Sequence, residues 1–93
     1  MREGLDSVRP NPFRASAEVG FTLPVATHVS LAIYDLMGRE VRSMARGEWL
    51  RPGTHRMTWD GRRNDGGEAA AGVYFVRLRT ATGHWSRAVL RVR

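Results

Sequence analysis

An antiparallel β-sandwich of immunoglobulin or fibronectin-III-like type, with about seven strands, is the fold that this 93-residue sequence predicts, and three observations carry it. Apolar and polar side chains alternate at period two in blocks of five to nine residues, which puts every second side chain on one sheet face. Glycine, proline, asparagine and aspartate separate the blocks at turn spacing. No stretch sustains a capped 3.6-residue period of helical length. The result is an all-β chain with one core.

Residues 1–9 read as a linker or lead-in, because Leu5 and Val8 are isolated apolar positions, and the sandwich is expected over 10–93. Pro10 and Pro12 each bias the preceding residue away from helix, so this stretch is extended and delivers the Phe13 ring to the sandwich. Glu18–Leu23 alternates, with Val19, Phe21 and Leu23 on one face, and Pro24 ends it because proline cannot donate to a ladder. His28–Tyr34 buries Val29, Leu31 and Ile33. The turn Asp35-Leu36-Met37-Gly38-Arg39 then reverses the chain into Glu40–Met44. After Arg51-Pro52-Gly53, the block His55–Trp59 sets His55, Met57 and Trp59 inward, with Trp59 as the main core anchor. The stretch from Asp60 to Glu68 is too polar and glycine-rich to bury and forms a surface loop. Val73–Arg79 places Tyr74, Val76 and Leu78 on one face. Ala81-Thr82-Gly83 closes a second hairpin into Trp85–Arg93, whose Ala88, Leu90 and Val92 are expected to face inward.

Size and composition narrow the function. By area scaling, roughly 5,400 Å² of about 15,000 Å² stays exposed, enough burial for one modest core. Net charge is +6, and all 15 basic residues are arginine. The absence of lysine excludes Schiff-base chemistry and a P-loop, and the absence of cysteine excludes disulfides and thiolate sites. The longest apolar run, Ala69–Val76, is far below the ~20 residues of a membrane-spanning helix, so no membrane insertion is expected. The first residues lack the apolar stretch of a signal peptide. The chain is therefore expected to be cytoplasmic if complete, or a part of a longer exported protein.

No reactive constellation is legible. His28, His55 and His84 lie 27 and 29 residues apart, without the short pairings of a metal site. No serine sits in a nucleophile motif and no carboxylate pair shares a strand face, so an enzyme is not expected, and neither a cofactor nor a small-molecule substrate is implied. Asp60, Asn64, Asp65 and Glu68 offer hard oxygens to a calcium ion, but Arg62 and Arg63 stand among them and would repel it. Ordinary turn hydrogen bonding accounts for the loop better. Arg77, Arg79, Arg87, Arg91 and Arg93 could form a basic stripe for polyanions, although little aromatic interleaving and no helix argue against specific nucleic-acid binding. Strand edges are the other resource: residues 1–13 could lie on a neighbour's edge, and the last strand has no polar tail to blunt its own.

The order Pro10-Asn11-Pro12-Phe13, Val29–Asp35 with Gly38-Arg39-Glu40-Val41, Pro52-Gly53, Trp59-Asp60-Gly61 and Gly72-Val73-Tyr74-Phe75 resembles a known module. It is similar to the immunoglobulin-like domain of the flagellar hook-capping family and to the type A C-terminal sorting domain of the type IX secretion system. The resemblance covers residues 10–93 and implies a non-enzymatic recognition domain, secreted or at the cell surface as part of a larger exported protein. Its implied partner is a secretion translocon or neighbouring subunits. Gly72 and Tyr74 match the Gly-x-Tyr segment of sorting domains, and Arg87, Arg91 and Arg93 match their terminal basic strand, which elsewhere carries lysine as well. A self-assembling structural subunit, including a homo-oligomer, and a non-specific polyanion binder are the alternatives.

Overall fold

The structure, a computed structural model, describes residues 1–93 as seven strands without a helix. They are β1 (Gly4–Arg9), β2 (Ala17–Leu23), β3 (Thr27–Tyr34), β4 (Glu40–Leu50), β5 (Gly53–Trp59), β6 (Gly72–Thr80) and β7 (Gly83–Arg91). Two antiparallel sheets result, one in the order β1-β2-β5 and the other β4-β3-β6-β7. This is an immunoglobulin-like β-sandwich. Its exposed surface is 5675 Å², near the value expected for a folded chain of this mass.

The alternation read from the sequence sets the inner face of most strands. Val19, Phe21 and Leu23 of β2 and Val29, Leu31 and Ile33 of β3 are all fully buried, and Val76 and Leu78 of β6 join them. Each such side chain contributes roughly 1.5–3 kcal/mol by leaving water. Trp59, at the end of β5, closes one end of the core. Phe13 packs against it at 5.3 Å between ring centroids, and Tyr74 meets it edge-on at 5.2 Å. Three of the five quoted motifs therefore meet in one aromatic seam.

Three expectations need correction. Residues 4–9 are not a linker: they form β1, which pairs with β2 from Gly4↔Thr22 to Arg9↔Glu18. Leu5 and Val8 both point inward although three positions apart, because a register shift between Leu5 and Ser7 breaks the alternation. The strand expected to end at Met44 continues to Leu50. Gly47 interrupts its pattern with φ +65°, and its N–H reaches Ser30 Oγ at 3.0 Å, so a glycine that reads as a break is an irregularity within one strand. In β7 the inner face carries Trp85 and Val89, the latter 1% exposed, while Ala88 and Leu90 face out.

Candidate recognition surface

The β6–β7 hairpin carries four of the five residues that the resemblance assigns to recognition, Arg93 lies just past its end, and the two faces of the hairpin differ. Pairing sets Arg77 opposite Ser86 and Arg79 opposite His84, whereas Arg87 lies opposite Val76 and Arg91 opposite Gly72. Arg77 and Arg79 thus share the outer face, and Arg87 and Arg91 share the inner one. The anticipated stripe of five arginines does not form.

Each inner arginine is bound to main chain. Arg87 Nε donates to Leu5 O at 3.1 Å, tying β7 to β1 in the other sheet. Arg91 is 12% exposed in its side chain; its Nη1 donates to Ala69 O at 2.6 Å and its Nη2 lies 3.5 Å from Glu68 Oε1. A Cβ at Gly61 would stand 2.9 Å from Arg91 Nε and 3.1 Å from Ala15 O, so this contact needs glycine, as does its φ of +76°. Gly72 marks the start of β6 at the Arg91 pairing position. Tyr74 is buried and its hydroxyl donates to Ala70 O. Of the five residues, Tyr74 and Arg91 are therefore held within the fold, and Arg93 is exposed, with its carbonyl accepting from Arg14 Nη1.

The loop that offered calcium ligands is closed by turn bonds. Asp60 Oδ1 accepts from Arg62 N at 3.0 Å, and Asp65 Oδ1 accepts from Gly67 N at 2.8 Å. The Gly67 N–H, followed by Arg63, holds the Asp65 carboxyl below its ordinary pKa. Asn64 Oδ1 accepts from Ser43 N at 2.8 Å and Asn64 N donates to Val41 O at 2.8 Å, which clamps the loop on the outer edge of β4. Glu68 faces Arg91. No three His, Asp or Glu side chains converge, so the four oxygen-bearing residues are dispersed instead of gathered. The histidines are separate as well: His28 Nδ1 is 3.0 Å from Gly47 O, and His55 Nε2 is 2.7 Å from Arg51 O while its ring stacks on Phe21.

The free edge expected on the last strand is covered by the chain itself. Phe13 N donates to Leu90 O at 2.9 Å and Val92 N donates to Phe13 O at 2.8 Å. Asn11 Oδ1 accepts from Leu90 N at 3.0 Å, and its Nδ2 donates to Ala88 O at 3.2 Å. The Pro-Asn-Pro-Phe segment thus seals its own sheet, where a neighbour's edge was one of the readings that the sequence left open. Sequence reasoning placed the exposed residues of β7 on the wrong face; the only signal for the correct one was Trp85 and Val89, four apart.

A small sandwich closed by an aromatic seam, its loop oxygens and inner arginines engaged by its own backbone, defines an immunoglobulin-like domain whose available chemistry lies on sheet faces. The chain belongs to the FlgD Ig-like domain family, whose model matches residues 8–84. It is 40% identical over 58 residues to the basal-body rod modification protein FlgD of Salmonella typhimurium, covering 62% of this chain and 25% of that protein. The chain therefore spans about a quarter of the curated relatives it matches. In fold it resembles dimeric latent PorU from Porphyromonas gingivalis, with TM-score 0.76 and 23% identity over 95% of this chain and 9% of that one. PorZ of the same organism gives TM-score 0.64 and 24% identity over 97% and 12%. FlgD of Pseudomonas aeruginosa gives 0.63 and 22% over 81% and 57%.

Proposed function

We propose that this domain is a non-enzymatic protein-recognition module of a longer exported or cell-surface protein, used as a sorting element and read by a secretion translocon. The observation that carries the reading is the match of 95% and 97% of this chain to only 9% and 12% of PorU and PorZ, the second described as a surface component of a type IX secretion system. A domain that recurs whole inside much larger chains is a portable unit, and recognition is a function that such a unit can bring with it. The recognised element would be the end of β7. In this reading Tyr74, Gly72, Arg87 and Arg91 act by fixing the shape of that strand, while Arg93 and Leu90 meet the partner.

The test is secretion of a reporter fused to residues 1–93 in a cell with a type IX system. The whole chain is needed because β1 is part of the sandwich, and deleting Arg87–Arg93 would remove Val89 and Arg91 from the fold. We expect the fused reporter to reach the medium and the Leu90→Asp/Arg93→Glu variant to remain inside. Equal export of reporter with and without the domain overturns the reading.

A second reading, a structural subunit that packs against neighbours, is favoured by the 40% identity to the rod modification protein. Light scattering at micromolar concentration tests self-association, and a strict monomer argues against a homo-oligomer.

A further inference from the structure

On the outer face of the four-stranded sheet, Ser30 and Ala32 of β3 and Ser43 of β4 form the floor of a trough of about 290 Å³ that the core residue Ala45 also lines. Ala32 is 7% exposed and Ala45 4%, so the floor is packed and small, and another backbone can approach it closely. Arg77 and Arg79 of β6 form one wall. Arg77 Cζ lies 4.9 Å from the centroid of the Tyr34 ring, an interaction that orients a guanidinium without neutralising it.

What marks this trough is a pair of arginines on one strand face, both free of acidic partners, beside a floor of small residues. The ion pairs of the molecule engage Arg39, Arg42, Arg46, Arg56, Arg63 and Arg91, and neither Arg77 nor Arg79 has a carboxylate within 4.0 Å. Glu40, the one acid in the trough, is held by Arg46 at 3.4 Å and by Asn64 Nδ2 at 3.0 Å. Two arginines at i and i+2 on one strand project the same way about 7 Å apart, the same spacing that an extended peptide gives to its own alternate side chains.

We propose that this trough docks an extended acidic segment of a partner protein, with carboxylates at alternate positions seated on Arg77 and Arg79 and the peptide backbone over the Ser and Ala floor. Arginine pairs bidentately with a carboxylate, which supplies the anchoring. A continuous phosphate chain fits less well, because only two unpaired guanidiniums, at alternate positions of one strand, face the trough. This site goes beyond the β7 element of the sorting reading, and its test is a binding measurement that does not depend on export.

The probe is a blocked Thr-Glu-Thr-Glu-Thr peptide titrated into the isotope-labelled 93-residue chain by NMR. Saturable shifts are expected at Ser30, Ala32 and Ser43 and at the side-chain N–H groups of Arg77 and Arg79. The Arg77→Gln/Arg79→Gln variant should lose about tenfold or more in affinity, while Arg51→Gln/Arg56→Gln, an equal change in charge in the β4–β5 connection and on β5 of the other sheet, should stay within about twofold. Retention of the dispersed amide spectrum establishes that both variants fold. Equal losses in the two variants, shifts spread over all arginine-bearing surfaces, or tighter occupation of the trough by an oligothymidylate than by the peptide would each overturn the proposal.

Discussion

The two faces of the β6–β7 hairpin carry the same kind of side chain to opposite ends. On the inner face Arg87 and Arg91 reach main-chain oxygens of Leu5 and Ala69, and they act as fasteners between parts of the fold. On the outer face Arg77 and Arg79 have no acidic partner and remain available to a ligand. The difference teaches that an arginine in a strand takes its role from strand phase and from the atom it meets, and that net charge says little about which arginines can bind. The largest effect should come from the apolar part of the inner face. Leu78 is fully buried, and Leu78→Ala should cost about 2–5 kcal/mol, read as a lower urea midpoint. The outer neighbour Arg79→Ala should stay within about 0.5 kcal/mol.

Arg91 separates the faces more sharply, because it is a charged residue expected to behave as core. Arg91→Ala leaves Ala69 O without its donor and opens space beside Gly61, and should cost about 2 kcal/mol. Gly61→Ala should cost about 1–3 kcal/mol on backbone grounds, with added crowding against the guanidinium. Made together, the two substitutions should cost less than their sum, since removing Arg91 relieves the 2.9 Å approach while the 3.1 Å approach to Ala15 O remains. Strict additivity in urea denaturation would show that the two positions are not coupled. Arg87→Ala should cost only about 1 kcal/mol, because its hydrogen bond to Leu5 O lies on a partly solvated margin of the sandwich.

How much of this was legible follows from where period two holds. In β2, β3, β5 and β6 the large inward side chains recur at every second position, and their inner faces can be read directly from sequence. The Gly-rich loop was legible from its turn residues, and Phe13 from the prolines before it. In β1 the irregularity between Leu5 and Ser7 hides the strand, and in β4 Gly47 hides its second half. In β7 the inner positions 87 and 91 are arginines at the margin of the core, so the more apolar series Ala88, Leu90 and Val92 gives the wrong phase. The recognition residues suffer from the same ambiguity. Tyr74 read correctly as inward-facing from alternation, and that position is what withdraws its side chain from any partner. The trough was illegible because its floor is made by small residues of two strands whose register no local pattern specifies.

The smallest expected effect concerns two turn carboxylates away from both faces of the hairpin. Asp65 lies in the loop that Arg91 pins from the inner face and Asp35 in the β3–β4 turn, and both line the same cleft with Asn64 and Ala69. Backbone N–H groups lower both pKa values, that of Arg39 most strongly for Asp35 and that of Gly67 most strongly for Asp65. A carboxylate whose pKa is lower folded than unfolded stabilises the fold fully above the unfolded value of 3.8. As pH falls below that value the unfolded chain takes up protons that the folded chain still refuses, and the contribution disappears once pH drops through the folded pKa. Asp35→Asn and Asp65→Asn should therefore lower the urea midpoint slightly at pH 7 and less at pH 3. Both effects should shrink in high salt, because the groups are screened by water and ions. A larger deficit at pH 3 than at pH 7 would mean that the N–H groups of these turns do not favour the charged carboxylate in solution.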